Sequence, residues 1–259
     1  MRTEIKKWLP GHPWAEKIQY FDCLDSTNTY AKGLAAEGAP EGTVVIAGQQ
    51  TGGRGRLGRS FSSPAGMGIY MSVLLRPDCK PEELMHLTCA TGVAAAQAIG
   101  NPHVGIKWTN DLVLGKRKLG GILTELSVDP LSGKVAWAVI GIGINCCQAP
   151  GAFPEEIRDI ACSLGMETQD VPKLVAALIA ALAQMRQRLL THKAEIMAQF
   201  CQQCITIGSE ISIVRGDEIR HGKAIGVDEN GGLQVLLSDG RMDTVTSGEV
   251  SIRGMYGYV

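Results

Sequence analysis

The order of the apolar segments constrains this chain most, because strands follow one another without helices between them over a long central stretch. That stretch runs from 104 to 146 and lies between two segments of helical periodicity. A regular βαβ chain would instead alternate strands with helices along its length. The order therefore predicts an α+β fold, with its elements at 26–38, 43–47, 68–75, 81–99, 104–146 and 171–204.

Local signals predict where several of these elements begin and end. Ser26 is suited to cap the first helix, and Gly38 is suited to end it. Pro81, followed by two acidic residues, opens a helix that we expect to continue to Ile99. Turn residues at 129–133 predict a hairpin in the central stretch, and the later helical segment is long enough for two helices.

The composition changes after Cys204, where short predicted strands alternate with turn signals. This pattern is typical of a small β-barrel or sandwich. We therefore expect two domains, 1–205 and 206–259. The turns that separate the later strands are predicted at 215–217, 228–232 and 238–240.

The overall composition excludes several classes of protein. Of the 259 residues, 45% are apolar and 20% are charged, and the net charge is −1. These values are typical of a soluble globular protein and not of a disordered chain or a nucleic-acid scaffold. No apolar stretch follows Lys6 and Lys7, so a secretory signal is not predicted and we expect a cytoplasmic protein. The eight cysteines are accordingly expected to be free thiols.

The most informative segment is the glycine–arginine loop, Gln49–Arg59, which contains Arg54, Arg56 and Arg59. No acidic residue occurs between Gly42 and Pro77. Glycine lets backbone amides approach an anion closely, and arginine offers a fork of donors that suits carboxylate or phosphate. The segment therefore predicts a flexible loop that closes over a small anionic ligand.

The loop also resembles two nucleotide-binding motifs, but it fits neither of them. Gly53–Gly58 matches a dinucleotide-binding fingerprint, but the residues that follow do not begin a helix. Gly48–Gly53 has the spacing of a P-loop, but Arg54 and Gly55 occupy the positions that need lysine and serine or threonine. A mobile linker and an RNA-binding Arg–Gly segment stay open from this loop alone.

Three further polar clusters lie at predicted strand ends. Lys107–Leu112 combines a lysine with adjacent amide and carboxylate groups, although Asn-Asp also suits a plain turn. Arg117–Glu125 contains Lys118 and paired glycines, which would leave room for a ligand against a strand, although this segment alone favours an exposed turn lysine. Gly141–Asn145 has glycine at alternate positions, which clears one face of its strand, and it ends with an amide side chain. A bulge or tight packing would explain these glycines equally well.

Taken in order, these motifs resemble those of the biotin–protein ligase family. The resemblance covers most of residues 22–147, and the β-rich end of the chain is similar to the family's small SH3-like C-terminal domain. The motifs that carry it are Ser26–Asn28, Gln50–Arg59, Lys107–Leu112, Arg117–Leu123 and Gly141–Asn145.

The resemblance implies a catalytic domain with a mixed β-sheet flanked by helices, similar to class II aminoacyl-tRNA synthetases and lipoate ligases. It implies that biotin and ATP form biotinyl-AMP, and that biotin is then transferred to a lysine of a biotin carboxyl carrier domain. Lys118, Arg54 and Arg56 are the expected catalytic residues. The expected biotin contacts are Ser26, Thr27, Asn28, Gln50, Arg54, Gly55, Arg56 and Lys118. The residues expected on the ATP side are Arg59, Trp108, Asn110, Asp111 and Asn145, with Asp111 as a candidate ligand of Mg²⁺.

The sequence departs from the family pattern in two places. Gly52 stands where the usual loop has alanine, which should make the loop more flexible. Some family members carry an N-terminal DNA-binding domain, and too few residues precede Ser26 to form one. We therefore expect no nucleic-acid partner, and no membrane partner, while a homodimer stays open. The alternatives are a lipoate or other carboxylate–protein ligase on the same fold, and a non-catalytic biotin- or RNA-binding module.

Overall fold

A seven-stranded mixed sheet carries the larger part of the chain, and helices pack on both of its faces. The computed structural model describes residues 1–215, 218–246 and 249–252. The sheet has the order β1-β2-β3-β7-β6-β5-β4, in which β1 and β2 are parallel and the other pairs are antiparallel. Its strands are β1 (Ile18–Phe21), β2 (Val44–Ala47), β3 (Gly68–Leu75), β4 (Val104–Lys107), β5 (Asp111–Leu114), β6 (Arg117–Val128) and β7 (Val135–Asn145).

Five α-helices accompany this sheet within the described residues. The largest hydrophobic cluster joins four of them to one face of the sheet, and the remaining helix, α2, packs on the other face. The helices are α1 (Arg2–Lys7), α2 (Thr27–Ala36), α3 (Leu87–Ile99), α4 (Val171–Arg188) and α5 (Lys193–Gln203). The predicted pair of helices after 171 is confirmed.

Alternation along the central strands decides which face each residue joins. In β2, Val44 and Ile46 pack into the large cluster, while Val45 packs against α2. In β7, Ile140 and Ile142 join the large cluster and Val139 joins the α2 side. Since side chains of a strand point alternately to opposite faces, these apolar runs bury both faces of the sheet. Polar residues and glycines at the α2-side positions are therefore exceptions in a sheet that is otherwise apolar on both faces.

The first long helix begins and ends as predicted. The Ser26 hydroxyl accepts a hydrogen bond from the Thr29 backbone N–H at 3.4 Å, as an N-cap residue does. Gly38, just beyond the helix, has a φ of 86°, a conformation that glycine adopts without steric cost.

The single helix predicted from Pro81 to Ile99 is wrong, because the structure divides it. Pro81–Leu84 forms a 3₁₀ turn, and α3 begins at Leu87. Between them His86 is fully buried, has a ψ of 2°, and its ring Nε2 contacts the Leu189 carbonyl oxygen at 2.9 Å. The interruption therefore coincides with a contact to a residue 103 positions away, which no local pattern signals.

The C-terminal residues form a separate antiparallel sheet. Its order is β11-β10-β9-β8-β12, and its strands are β8 (Glu210–Arg215), β9 (Glu218–Val227), β10 (Leu233–Leu237), β11 (Met242–Val245) and β12 (Glu249–Ile252). The turns predicted at 228–232 and 238–240 are confirmed, and the one at 215–217 lies partly outside the described residues.

The two sheets share one hydrophobic core. Ile211, Leu233 and Val235 of the second sheet belong to the same buried cluster as the first. The indole N–H of Trp108 also donates to the Gly231 carbonyl oxygen at 2.7 Å. A domain boundary near 206 stays a prediction.

Arg76 ties the end of α2 to the sheet, and we predict a large loss of stability when it is replaced. Its guanidinium donates to three backbone carbonyls that have separate places in the chain, those of Ala35, Ala39 and Ala136, at 2.7–3.0 Å. Arg76→Met removes these charge-assisted bonds, so we expect the free energy of unfolding to fall by about 2–3 kcal/mol. Urea unfolding followed by circular dichroism measures the change. The free energy of unfolding of Arg76→Lys should lie between those of the wild type and Arg76→Met. If Arg76→Met unfolded with the wild-type free energy, Arg76 would not stabilise the contact between α2 and the sheet.

Two negative findings apply to the described part of the chain. No helix in it combines the length and the apolar character needed to cross a bilayer. None of the eight cysteines forms a disulfide, as predicted, and burial raises the pKa of the Cys89 and Cys146 thiols to about 12.

Candidate active site

A cavity between the start of α2, the glycine–arginine loop and the central sheet has the α2-side face of the central strands as its floor. Residues paired across antiparallel strands point to the same face, and Tyr70, Gly143, Gly121 and Asp111 form one such row across β3, β7, β6 and β5. A neighbouring row joins Ser72, Gly141 and Leu123. A Cβ on Gly141 would overlap the Asn28 side chain, and one on Gly143 would overlap the Phe61 ring, so these two glycines make room for side chains that line the cavity.

The start of α2 supplies a wall of polar groups. Ser26, Thr27 and Asn28 line the cavity although each is buried. The Gln50 Oε1 atom accepts from the Thr27 backbone N–H at 2.9 Å and lies 3.1 Å from the Thr27 hydroxyl. The Gln50 Nε2 atom donates to Ser63 at 3.0 Å. Gln50 therefore fastens the glycine–arginine loop to the start of the helix.

The glycine–arginine loop folds back on itself over the cavity. Gly55 N–H donates to the Arg59 carbonyl at 2.7 Å, and Phe61 N–H donates to the Gly53 carbonyl at 2.9 Å. A Cβ atom on Gly53 would lie 2.5 Å from the Phe61 carbonyl oxygen, so this turn requires glycine. At Gly52 the nearest atom would be 3.4 Å away, which is ordinary contact. Alanine would therefore fit at this position.

Lys118 and Asp111 form the ion pair at the opposite wall. The Lys118 Nζ atom lies 2.7 Å from the Asp111 Oδ1 atom, and the Lys118 side chain retains 35% of its exposure. A bulge between Leu112 and Val113 shifts the β5–β6 register at this point. The ammonium group is therefore held in place but is still open to the cavity.

The turn between β4 and β5 connects this wall to the loop. The Arg56 Nη1 atom donates to the Asn110 Oδ1 atom at 3.1 Å, and Asn110 donates to the Ile122 carbonyl oxygen at 3.1 Å. Trp108 also lines the cavity and is fixed from behind by Gly231 and by Thr206, whose hydroxyl accepts its backbone N–H at 2.8 Å.

The charges around the cavity are strongly asymmetric. Among the residues lining it, one carboxylate, that of Asp111, faces five cationic side chains, Arg54, Arg56, Arg59, Lys107 and Lys118. A cavity lined by one sign of charge attracts and concentrates ligands of the opposite sign. This cavity therefore favours an anionic ligand, or two anions together.

The structure brings twelve of the predicted site residues to one cavity: Ser26, Thr27, Asn28, Gln50, Arg54, Gly55, Arg56, Arg59, Trp108, Asn110, Asp111 and Lys118. Their individual roles stay predictions. Asn145 does not belong to the lining. It lies one step beyond Gly143 on the same face, where its amide donates to the Cys162 carbonyl oxygen at 3.0 Å and accepts from Gln148 at 3.3 Å. The chain from Cys162 therefore covers it.

Several residues near the cavity had no signal in the sequence. Phe61 lines the cavity, and its ring lies where a Cβ of Gly143 would stand. Ser72, Lys32 and Glu125 form a polar network behind Asn28. Ser72 is a lone serine in an apolar strand, and Glu125 belongs to a different strand. Only the pairing of β3, β7 and β6 brings them to α2.

Comparison with known proteins shows which class of protein has this fold and this site. Residues 20–145 match the model of the Biotin/lipoate A/B protein ligase family, and residues 206–253 match that of the Biotin protein ligase C terminal domain. Fold and site together are therefore those of a protein ligase.

Individual relatives narrow the class. The bifunctional ligase/repressor BirA of Bacillus subtilis is 34% identical over 245 residues, which cover 92% of this chain and 75% of the relative. The biotin–[acetyl-CoA-carboxylase] ligase of Mycobacterium tuberculosis is 31% identical over 237 residues, 87% of this chain and 85% of that one. A structure of the Aquifex aeolicus biotin protein ligase with biotin and ATP superposes with a TM-score of 0.72, at 29% identity, and covers 91% of this chain and 98% of that chain. The chain belongs to the biotin protein ligase family.

Proposed function

We propose that this ligase activates biotin with ATP to give biotinyl-AMP and pyrophosphate, and then transfers biotin to a lysine of a biotin carboxyl carrier domain. The observation that carries the proposal is the single cavity that Arg54, Arg56 and Lys118 share with the polar side chains at the start of α2. Biotin suits such a lining because it has a polar ureido ring and a carboxylate.

The first step brings two anions together, and the cavity is built to offset their repulsion. The biotin carboxylate attacks the α-phosphate of ATP, and Lys118 can contact both the carboxylate and the phosphate charge that develops. Asp111 holds the Lys118 ammonium at 2.7 Å and so limits the reorientation needed during the reaction. Arg54 and Arg56 lie on the loop that covers the cavity and contribute further positive charge.

The covering loop also protects the product. A mixed anhydride such as biotinyl-AMP is hydrolysed by water unless the site excludes it. The Arg56–Asn110 hydrogen bond joins the loop to the opposite wall, and this contact favours a closed cavity. The neutral amine of the acceptor lysine then attacks the biotinyl carbonyl carbon, and AMP leaves with its bonding electrons.

Magnesium enters with ATP as part of the substrate. One carboxylate lines the cavity, and none of the described residues form a cluster of three His, Cys, Asp or Glu that could hold a metal. Mg²⁺ at such sites is held by one or two carboxylates together with substrate phosphates and water. Asp111 is the side chain that would contact it, and the ion neutralises phosphate charge.

A mass-spectrometric assay tests the function. With biotin, MgATP and an isolated carrier domain, we expect one biotinyl group on one carrier lysine, and pyrophosphate release that depends on biotin. Lipoate in place of biotin, at the same concentration, is the control and should give no adenylate. Adenylation of lipoate in preference to biotin, or no adenylate with either acid, would overturn the proposal.

A further inference from the structure

The part of the glycine–arginine loop that covers the cavity is a short β-hairpin, Arg54–Ser60, which we call the lid hairpin. Its first and last residues pair as antiparallel residues, and the Gly55 N–H donates to the Arg59 carbonyl oxygen at 2.7 Å. All of its residues are exposed or half-buried. A hairpin that buries no residue of its own is only marginally stable, so small local terms decide whether it stays folded over the cavity.

The turn at the tip of the lid hairpin has a conformation that leucine adopts poorly. The Arg59 N–H donates to the Arg56 carbonyl oxygen at 3.2 Å, and the two residues between them are Leu57, with φ 56° and ψ 32°, and Gly58, with φ 74°. Positive φ at both central positions is the pattern of a type I′ turn, for which Asn-Gly is strongly preferred. Leucine is unfavourable at the first of these positions, because its Cβ crowds the backbone.

Packing does not compensate for this conformation of Leu57. The side chain is 71% exposed, although it lines the cavity. Leu57 and Lys116 are the two non-glycine residues with a positive φ in the part of the chain that the structure describes. A conformational cost that no contact offsets raises the free energy of the closed hairpin and shifts its balance toward an open form.

We propose that Leu57 is a positioning residue that limits how long the lid hairpin stays closed, and so sets the rate at which biotinyl-AMP leaves the cavity. The inference rests on the proposed function, in which biotinyl-AMP is the bound intermediate. The turn is connected to the opposite wall through Arg56, whose Nη1 atom donates to the Asn110 Oδ1 atom at 3.1 Å. A turn that opens easily releases this contact and uncovers the product.

Leu57→Asn should keep the lid hairpin closed for longer. Asparagine adopts the left-handed conformation more readily than leucine does, and Asn-Gly is the pair that this turn favours. We expect the release of biotinyl-AMP to slow about fivefold, which corresponds to about 1 kcal/mol at 1.4 kcal/mol per factor of ten. Leu57→Val should act in the opposite direction and speed release about threefold, because a β-branched side chain fits a positive φ worst.

Leu57→Ala separates the backbone of this turn from the leucine side chain. Alanine shares the difficulty that leucine has with a positive φ, but it removes the exposed side chain. Release from Leu57→Ala should therefore stay within about twofold of the wild-type rate. If Leu57 instead retained the product by covering it, Leu57→Ala would speed release as much as Leu57→Val does, and the inference would be wrong.

Lys116→Asn is the matched control for a general gain in stability. Lys116 also has a positive φ, of 63°, and it lies in an exposed turn outside the cavity lining. Asparagine relieves the same kind of conformation there, so the midpoint of thermal unfolding should rise while the release rate stays at the wild-type value. Equally slow release from Lys116→Asn and Leu57→Asn would show that overall stability, and not the lid hairpin, sets the rate.

Release is measured from a complex formed with isotopically labelled biotin, MgATP and inorganic pyrophosphatase, without a carrier domain. The complex is diluted into excess unlabelled biotin, and mass spectrometry follows the labelled biotinyl-AMP that appears in ultrafiltrates. The rapid-quench rate of adenylate formation should stay within about twofold of wild type in all four variants, because each keeps every cationic side chain of the cavity.

The inference is overturned if folded Leu57→Asn releases biotinyl-AMP at the wild-type rate. It is also overturned if release does not become slower in the order valine, leucine, asparagine at position 57. A wild-type chain that forms no biotinyl-AMP would instead contradict the proposed function.

Discussion

Lys118→Ala is expected to reduce the single-turnover rate of biotinyl-AMP formation by about 10²–10³-fold, the loss typical when one donor to a developing anion is removed. Lys118 holds its ammonium group 2.7 Å from Asp111 and open to the cavity, between the polar wall and the turn at Asn110. Without it, the negative charges of carboxylate and phosphate meet with less compensation. Rapid-quench measurement of biotinyl-AMP at saturating biotin and ATP gives the rate.

Lys116→Ala is the matched control for this loss of charge. Lys116 is exposed in the turn before β6, outside the cavity lining, so its removal changes the net charge equally. We expect its rate of biotinyl-AMP formation to stay within about twofold of the wild-type rate, because salt screens a solvent-exposed charge that lies outside the cavity. A normal rate in Lys118→Ala, or an equal loss in both variants, would show that position 118 has no special part in the reaction.

Gly120→Ala should cause a large loss of stability without touching the cavity. A Cβ at Gly120 would lie 2.4 Å from the Gly143 carbonyl oxygen and 3.3 Å from Ile144 Cα, both main-chain atoms of β7. The backbone of a central strand must shift to relieve this contact. Such overpacking costs about 1–3 kcal/mol and occasionally more, and we expect about 3 kcal/mol here. For a chain of this size that lowers the midpoint of thermal unfolding by roughly 5–10 °C.

Gly121 is the control, because a side chain at this position would point to the opposite face of the sheet, toward the cavity. A Cβ at Gly121 would meet Lys118 Cε at 3.6 Å and Asp111 Oδ1 at 3.8 Å, which are ordinary contacts. Gly121→Ala should therefore unfold at nearly the wild-type temperature but react more slowly, since its methyl group enters the cavity beside Lys118. If both variants unfolded alike, the assignment of the two faces would be wrong.

Elements defined by local chemistry were predictable. The Ser26 cap, the positive φ of Gly38 and the hairpin around 129–133 depend on residues within a few positions of one another. The glycine–arginine loop and Lys118 pointed to an anion site only when they were taken together with the other motifs, because each of them alone also fits a plain loop or turn. For elements of this kind, residue type and spacing were enough to predict the structure.

The sequence by itself thus determined the α+β order of elements, the limits of α2, and most of the polar residues that line the cavity. The tertiary structure alone decided that His86 interrupts the helix before α3, that Asn145 is covered by the chain at Cys162, and that Glu125 reaches Asn28. The physical reason is the range of the interactions. Capping and turn preferences act within a few residues, whereas strand pairing and buried hydrogen bonds join residues about a hundred positions apart, such as the 97 between Asn28 and Glu125.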